Sequence, residues 1–216
     1  GEDGRVIVWD VASGKPEREP AVLPAPVTAL AWTPDTGTVL AGGADGTLQG
    51  APASGGSPAR SVRAHRAAVT CIDTAPDGRR AVSADADGVV ALWDTAAAGP
   101  IRTLQDFEER VLAAAFVADG TRVVTVDAAQ TFRVWDAAGC GMLDSFSASF
   151  EPITCAAFSP DRKRAALGGI DGRVVAWDLE RRAITWEMRP PSDGKGAGAE
   201  EGEDPGSRVP PPIWVA

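Results

Sequence analysis

Apolar and polar positions alternate along this chain in short runs separated by turn residues. Four of these runs, VTALAW at 27–32, VTCIDT at 69–74, VLAAAF at 111–116 and ITCAAF at 153–158, mix small and apolar side chains and read as short buried strands. Each run stops at a turn: Pro34-Asp35, Pro76-Asp77-Gly78, Ala118-Asp119-Gly120 and Pro160-Asp161. Proline presets φ for a reversal, and Asp or Gly tolerates its sharpest point, so these turns predict hairpins. A second strand follows in each unit (TVLAGG, RAVSAD, RVVTVD, RAALGG), and three units then carry a second turn, at Asp45-Gly46, Asp87-Gly88 and Asp171-Gly172. A third strand comes next. Weaker apolar stretches, IRTLQ and AITWEM, supply a fourth.

The units keep a fixed ruler. Trp-Asp pairs stand at Trp9-Asp10, Trp93-Asp94, Trp135-Asp136 and Trp177-Asp178, at spacings of 84, 42 and 42 residues, with Ala51 in the skipped slot. An apolar slot 24 residues before each of the last four Trp positions holds Val27, Val69, Val111 and Ile153. A period in the forties that closes on Trp-Asp marks a four-stranded propeller blade.

On these residues the chain resembles the WD-repeat β-propeller family over 1–188. The resemblance implies an all-β fold: an open arc of four complete four-stranded blades with partial blades at both ends, cut from a larger propeller, most often of seven blades. It also implies a buried tetrad in each blade, in which a His before the first strand, a Ser or Thr on the second, an Asp in the following turn and the Trp hydrogen-bond one another. The matching residues of the third unit are His65, Ser83, Asp87 and Trp93. The other units keep parts of the set. Unit one has Asp3 and Trp9; unit two has Asp45, with Ala41 and Ala51 in the Ser and Trp slots. Unit four has Thr125 and Trp135, with Phe107 in the His slot and Ala129 in the turn-Asp slot. Unit five has Asp171 and Trp177, with Ser149 for His and Leu167 for Ser. Stability is therefore expected to rest mainly on apolar stacking between blades.

One segment breaks the ruler. The apolar slot after Ile153 is filled by Ile213, 60 residues on instead of 42. The intervening stretch, 189–209, is rich in Gly, Pro and acid, and is expected to be a disordered acidic loop, with 210–216 beginning the first strand of another blade. The loop reads either as solvated or as a segment that docks on a basic partner.

Composition narrows the function. A formal net charge of −9 argues against non-specific nucleic-acid binding as the main task. Cys71, Cys140 and Cys155 make no metal spacing, and Cys71 and Cys155 share one repeat slot two blades apart, which reads as structural thiols and not as a disulfide. No apolar run of membrane-spanning length occurs in the segment. His65 is the only histidine, so a Ser-His hydrolase or a His-rich metal centre would have to reuse a tetrad residue. No P-loop or dinucleotide fingerprint is present. The reading is non-enzymatic, with no cofactor, no metal and no small-molecule substrate.

Binding follows from geometry, because rigid blades hold variable loops on one broad face. The resemblance implies docking of proteins or peptides on that top face, through the loops between fourth and first strands and between second and third strands. Those loops place Arg63, Arg66, Glu108, Arg110, Phe150, Glu151 and Ile170. Phe150 reads either as an interface anchor or as a plug between blades. The expectation is an intracellular, cytoplasmic scaffold of a multiprotein assembly, with diverged repeats and a low-complexity insert similar to those of eukaryotic, including ciliary, components. Two alternatives stay open: a bacterial sensor or regulatory domain attached to a kinase or other effector, and the non-catalytic part of a propeller-containing enzyme.

Overall fold

The computed structural model of the protein describes residues 1–35, 37–54, 61–95, 100–104, 107, 109–147 and 152–189. The expected segments 189–209 and 210–216 therefore lie outside the described residues from 190 onward, as do Glu108, Ser149, Phe150 and Glu151.

Among the described residues, eighteen strands make five antiparallel sheets, each a meander in chain order. The first sheet has two strands, β1 (Arg5–Asp10) and β2 (Lys15–Val22). The second has β3 (Val27–Trp32), β4 (Thr38–Gly43), β5 (Thr47–Pro52) and β6 (Val62–Arg63). The third has β7 (Val69–Thr74), β8 (Arg80–Asp85), β9 (Val90–Asp94) and β10 (Pro100–Leu104). The fourth has β11 (Val111–Val117), β12 (Arg122–Asp127), β13 (Thr131–Asp136) and β14 (Met142–Ser147). The fifth has β15 (Ile153–Phe158), β16 (Arg164–Gly169), β17 (Val174–Asp178) and β18 (Ala183–Met188). Four complete blades follow a two-stranded partial one, the open-arc arrangement that the 42-residue pattern predicts.

The core is a series of layers between blades. Val6, Leu23, Val39 and Ala51 meet between blades one and two; Leu40, Leu48 and Val62 meet Ala91 and Trp93 between two and three. Leu92, Leu104, Phe116 and Trp135 fill the layer between three and four, and Val126, Phe132, Leu167 and Trp177 the layer between four and five. The tryptophan of each of the last three blades thus packs back onto the blade before it. Every blade covers one face of its neighbour, so stability accumulates through successive contacts. Hydroxyls also tie the first strands to their neighbours: Thr74 Oγ1 donates to Trp32 O at 2.7 Å and Thr70 Oγ1 to Val111 O at 2.9 Å.

The turn between second and third strands requires glycine for two reasons. Gly46 has φ of 83°, and a Cβ there would lie 2.2 Å from the carbonyl oxygen of His65. The close approach brings that turn against the loop entering the next blade, at the end of the arc where the top-face residues gather.

The two cysteines of one repeat slot fare differently. Cys71 is partly enclosed against blade four, where burial pushes its thiol up to about 11, whereas Cys155 is exposed on blade five. The expectation of buried thiols therefore fails at Cys155, because no described strand covers that face of blade five.

Candidate functional site

Blade three contains a closed polar network. His65 Nδ1 lies 3.1 Å from Asp85 Oδ2, His65 Nε2 lies 2.6 Å from Ser83 Oγ, and Trp93 Nε1 donates to Ser83 Oγ at 2.8 Å. The protons follow from what each group can do. An ionised carboxylate only accepts, so Nδ1–H donates to Asp85. The indole only donates, so Ser83 accepts from Trp93 and gives its own proton to Nε2. The neutral Nδ1–H imidazole satisfies every member. Asp85 Oδ1 also accepts the backbone N–H of Asp87 at 3.1 Å and of Val89 at 2.8 Å.

The acid of this network is Asp85, which corrects the assignment of Asp87. Asp85 ends β8 two residues after Ser83, on the same face of the strand, whereas Asp87 lies in the turn beyond it. The correction carries through the repeat. In blade four the equivalent acid is Asp127, so the slot is filled and not lost at Ala129. Trp135 Nε1 donates to Thr125 Oγ1 at 3.0 Å, and Thr131 N–H to Asp127 Oδ1 at 2.9 Å. Phe107 occupies the place of the histidine and packs on Trp135 at 5.4 Å between ring centroids. The donor that histidine would supply comes instead from Arg133, which hydrogen-bonds Asp127 Oδ2 while its guanidinium lies 5.1 Å from the Phe107 ring centroid. An Arg on an aromatic face and a buried carboxylate thus replace an imidazole.

Asp3, Asp45 and Asp171 are turn acids and not members of polar tetrads. Their Oδ1 atoms accept the N–H two residues on, from Arg5, Thr47 and Arg173, at 3.1, 3.1 and 3.0 Å. The same repeat amide is held in blades three and four by Asp85 and Asp127, from four residues upstream. Where the strand-end acid is replaced by glycine, as at Gly43 and Gly169, the turn acid takes over. The sequence signal for the true acid is Ser83-x-Asp85 recurring as Thr125-x-Asp127, against Ala41-x-Gly43 and Leu167-x-Gly169, where hydroxyl and acid are lost together. With Leu167 in the hydroxyl's slot, Trp177 Nε1 is buried with no hydrogen-bond partner among the described residues. Trp9 is 56% exposed on the partial first blade.

His65 is sealed, its side chain wholly inaccessible together with that of Asp85. Burial lowers its pKa, and Asp85 opposes that shift through its charge and hydrogen bond. Because the folded value lies below the unfolded one of about 6.5, the unfolded chain takes up the proton first. Stability is full above about pH 6.5 and falls as pH drops from there towards the depressed folded value, by at most about 1.4 kcal/mol per unit for one proton. Chemical denaturation at pH 7.0, 6.0 and 5.0 is expected to show this decline, and His65→Gln should flatten it.

The top face is pinned by a repeated backbone bond. Ala44 N–H donates to Pro26 O, Ala86 to Ala68 O, Ala128 to Arg110 O and Ile170 to Pro152 O, at 2.8 to 3.0 Å. Each bond joins a turn between second and third strands to the loop entering the same blade. Arg66 and Arg110 are exposed on these loops, Arg63 is exposed at the end of β6, and Ile170 is 72% exposed. The repeat position of Ile170 is alanine in the other three complete blades: Ala44, Ala86 and Ala128. The structure therefore brings four of the seven top-face candidates to this end of the blades.

Among the described residues no cluster of His, Cys, Asp or Glu could hold a metal ion, and no helix is long and apolar enough to cross a membrane. No curated protein matches the chain. The family model described as WD domain, G-beta repeat matches residues 19–49, 56–94 and 141–178. Each matched stretch takes in the outermost strand of one sheet, or the chain leading through it, and then the first three strands of the next. The unmatched interval contains Phe107 and Arg133, where the histidine has been replaced. With half its residues matched and its blades, strand order and Trp-centred hydrogen bonds in place, the chain belongs to the WD40 repeat family.

Proposed function

We propose that this protein is a scaffold whose top face docks another protein within a multiprotein assembly, using Ile170 as an apolar anchor and Arg63, Arg66 and Arg110 as flanking charges. WD40 repeats support a protein-interaction role in general, and proteins built from them are typically non-catalytic. The observation that carries the finer reading is Ile170: a β-branched side chain, 72% exposed, where the repeat elsewhere keeps alanine, on a backbone held by Pro152 O at 3.0 Å. A preorganised apolar side chain loses little entropy on binding, and arginines at an interface edge favour an acidic partner surface. The sealed His65 supports a binding role over a catalytic one, since it can reach no substrate. An intracellular setting is part of the proposal, supported by three free cysteines.

The test compares the wild-type chain with Ile170→Ala, which restores the repeat residue, and with Arg66→Glu/Arg110→Glu. Proteins retained on the immobilised chain are identified and their affinities measured. Both variants are expected to keep the wild-type melting temperature and to weaken the same partner by roughly tenfold or more. Unchanged affinity in both, at unchanged stability, would remove the top face from the interaction.

A further inference from the structure

We propose that Asp73 and Arg162 form a clasp that bridges blades three and five past the intervening blade and sets the spacing of the arc there. Arg162 Nη1 donates to Asp73 Oδ2 at 2.9 Å and Nη2 to Asp73 Oδ1 at 2.8 Å, a two-pronged bond between residues 89 apart in the chain. Asp73 lies on β7, and Arg162 in the turn joining β15 to β16. Blade four is included, because the backbone N–H of Phe116 on β11 donates to Asp73 Oδ2 at 2.9 Å. One carboxylate thus gathers donors from two further blades.

Both partners depart from the residues that their slots hold in neighbouring blades. The slot of Asp73 holds Ala31, Ala115 and Ala157 in the other complete blades. The slot of Arg162 holds Gly78 and Gly120 in blades three and four, at φ of 68° and 83°. Arg162 keeps that left-handed backbone, at φ of 59°, although it has a Cβ. A long side chain in a glycine position is unfavourable by itself and persists where surrounding contacts over-determine it. The paired hydrogen bonds to Asp73 are that contact, and a planar guanidinium is the cation suited to them. Arg162 also forms part of the wall of a groove of about 820 Å³ between blades four and five, with Phe116, Val124, Leu143, Phe146 and Leu179. The clasp therefore also holds the width of this groove.

The test uses Asp73→Ala and Arg162→Gly, each of which restores the residue the repeat uses, singly and together in the whole chain. Asp73→Ala strands an arginine in a glycine conformation and is expected to raise the unfolding equilibrium constant about tenfold or more. Adding Arg162→Gly relaxes the backbone and removes the unpaired charge, so the double variant should recover most of that loss, with a coupling of about tenfold. Arg162→Lys keeps the charge and the backbone conformation but lacks the fork, and should resemble Asp73→Ala. A second readout is the distance between spin labels at Arg79→Cys and Glu180→Cys, exposed on blades three and five, with the native cysteines replaced. The distance distribution should broaden in every clasp variant, including the stable double one. Additive effects of the two substitutions, wild-type stability of Arg162→Lys, or an unchanged distribution in the double variant would each overturn the clasp.

Discussion

Replacing Asp85 by alanine is expected to destabilise the protein by about 3 kcal/mol or more, because each buried donor left without an acceptor costs about 1–3 kcal/mol and Asp85 serves three of them. The loss has several sources. His65 Nδ1–H loses its acceptor in a site with no access to water, and the amides of Asp87 and Val89 lose theirs. Ser83 and Trp93 then depend on an imidazole with nothing to orient it. Asp87→Ala, two residues away, should change stability by about 0.5 kcal/mol or less, as surface substitutions do. Urea denaturation of the two variants at pH 7.5 checks the contrast; equal midpoints would return the network's acid to an open question. Asp127→Ala is expected to behave as Asp85→Ala does, because it leaves Arg133 without its carboxylate beneath blade four.

Phe132→Ala is expected to cost about 3–5 kcal/mol, through lost burial and the cavity that remains. Phe132 is fully buried and stacks on Phe146 at 5.0 Å and on Trp177 at 5.6 Å, with Phe146 and Trp177 6.0 Å apart. Blade five lacks the serine and the acid that hold Trp93 in blade three, so this three-ring stack is what holds Trp177 in place. The indole N–H without a partner is the residual cost of that exchange. Trp9→Ala, which removes a larger ring from a half-exposed position on blade one, should cost much less. Calorimetric melting with tryptophan fluorescence checks both. A smaller loss for Phe132→Ala than for Trp9→Ala would show that the arc is not held by its inter-blade layers.

Much of the fold and part of the site are legible in the chain because they depend on local rules. Period-two runs, Pro-Asp and Asp-Gly turns and the recurring Trp specify strands, hairpins and register whatever surrounds them, since each rests on backbone preference and side-chain alternation within a few residues. His65, Ser83 and Trp93 follow from the resemblance to the WD-repeat family, which assigns their roles by their places in the repeat. Asp85 was harder to distinguish from Asp87, because alternation gives both the same parity as Ser83. That parity has meaning only while the backbone is extended, and β8 ends at Asp85. Beyond it the chain turns through Gly88 at φ of 84°, carrying the Asp87 side chain away from the network.

What tertiary structure alone decided are the compensations for lost repeat residues. Arg133 reaches Asp127 where a histidine is missing, Phe132 and Phe146 stack on Trp177 where a serine is missing, and Arg162 crosses to Asp73. None of these pairs has a spacing that marks it, because blades meet face to face and a repeat ruler compares only equivalent positions. Sequence by itself determined how each blade is built. The folded arc determined which irregular side chains meet, since buried donors, acceptors and rings take whatever partner the neighbouring blade presents.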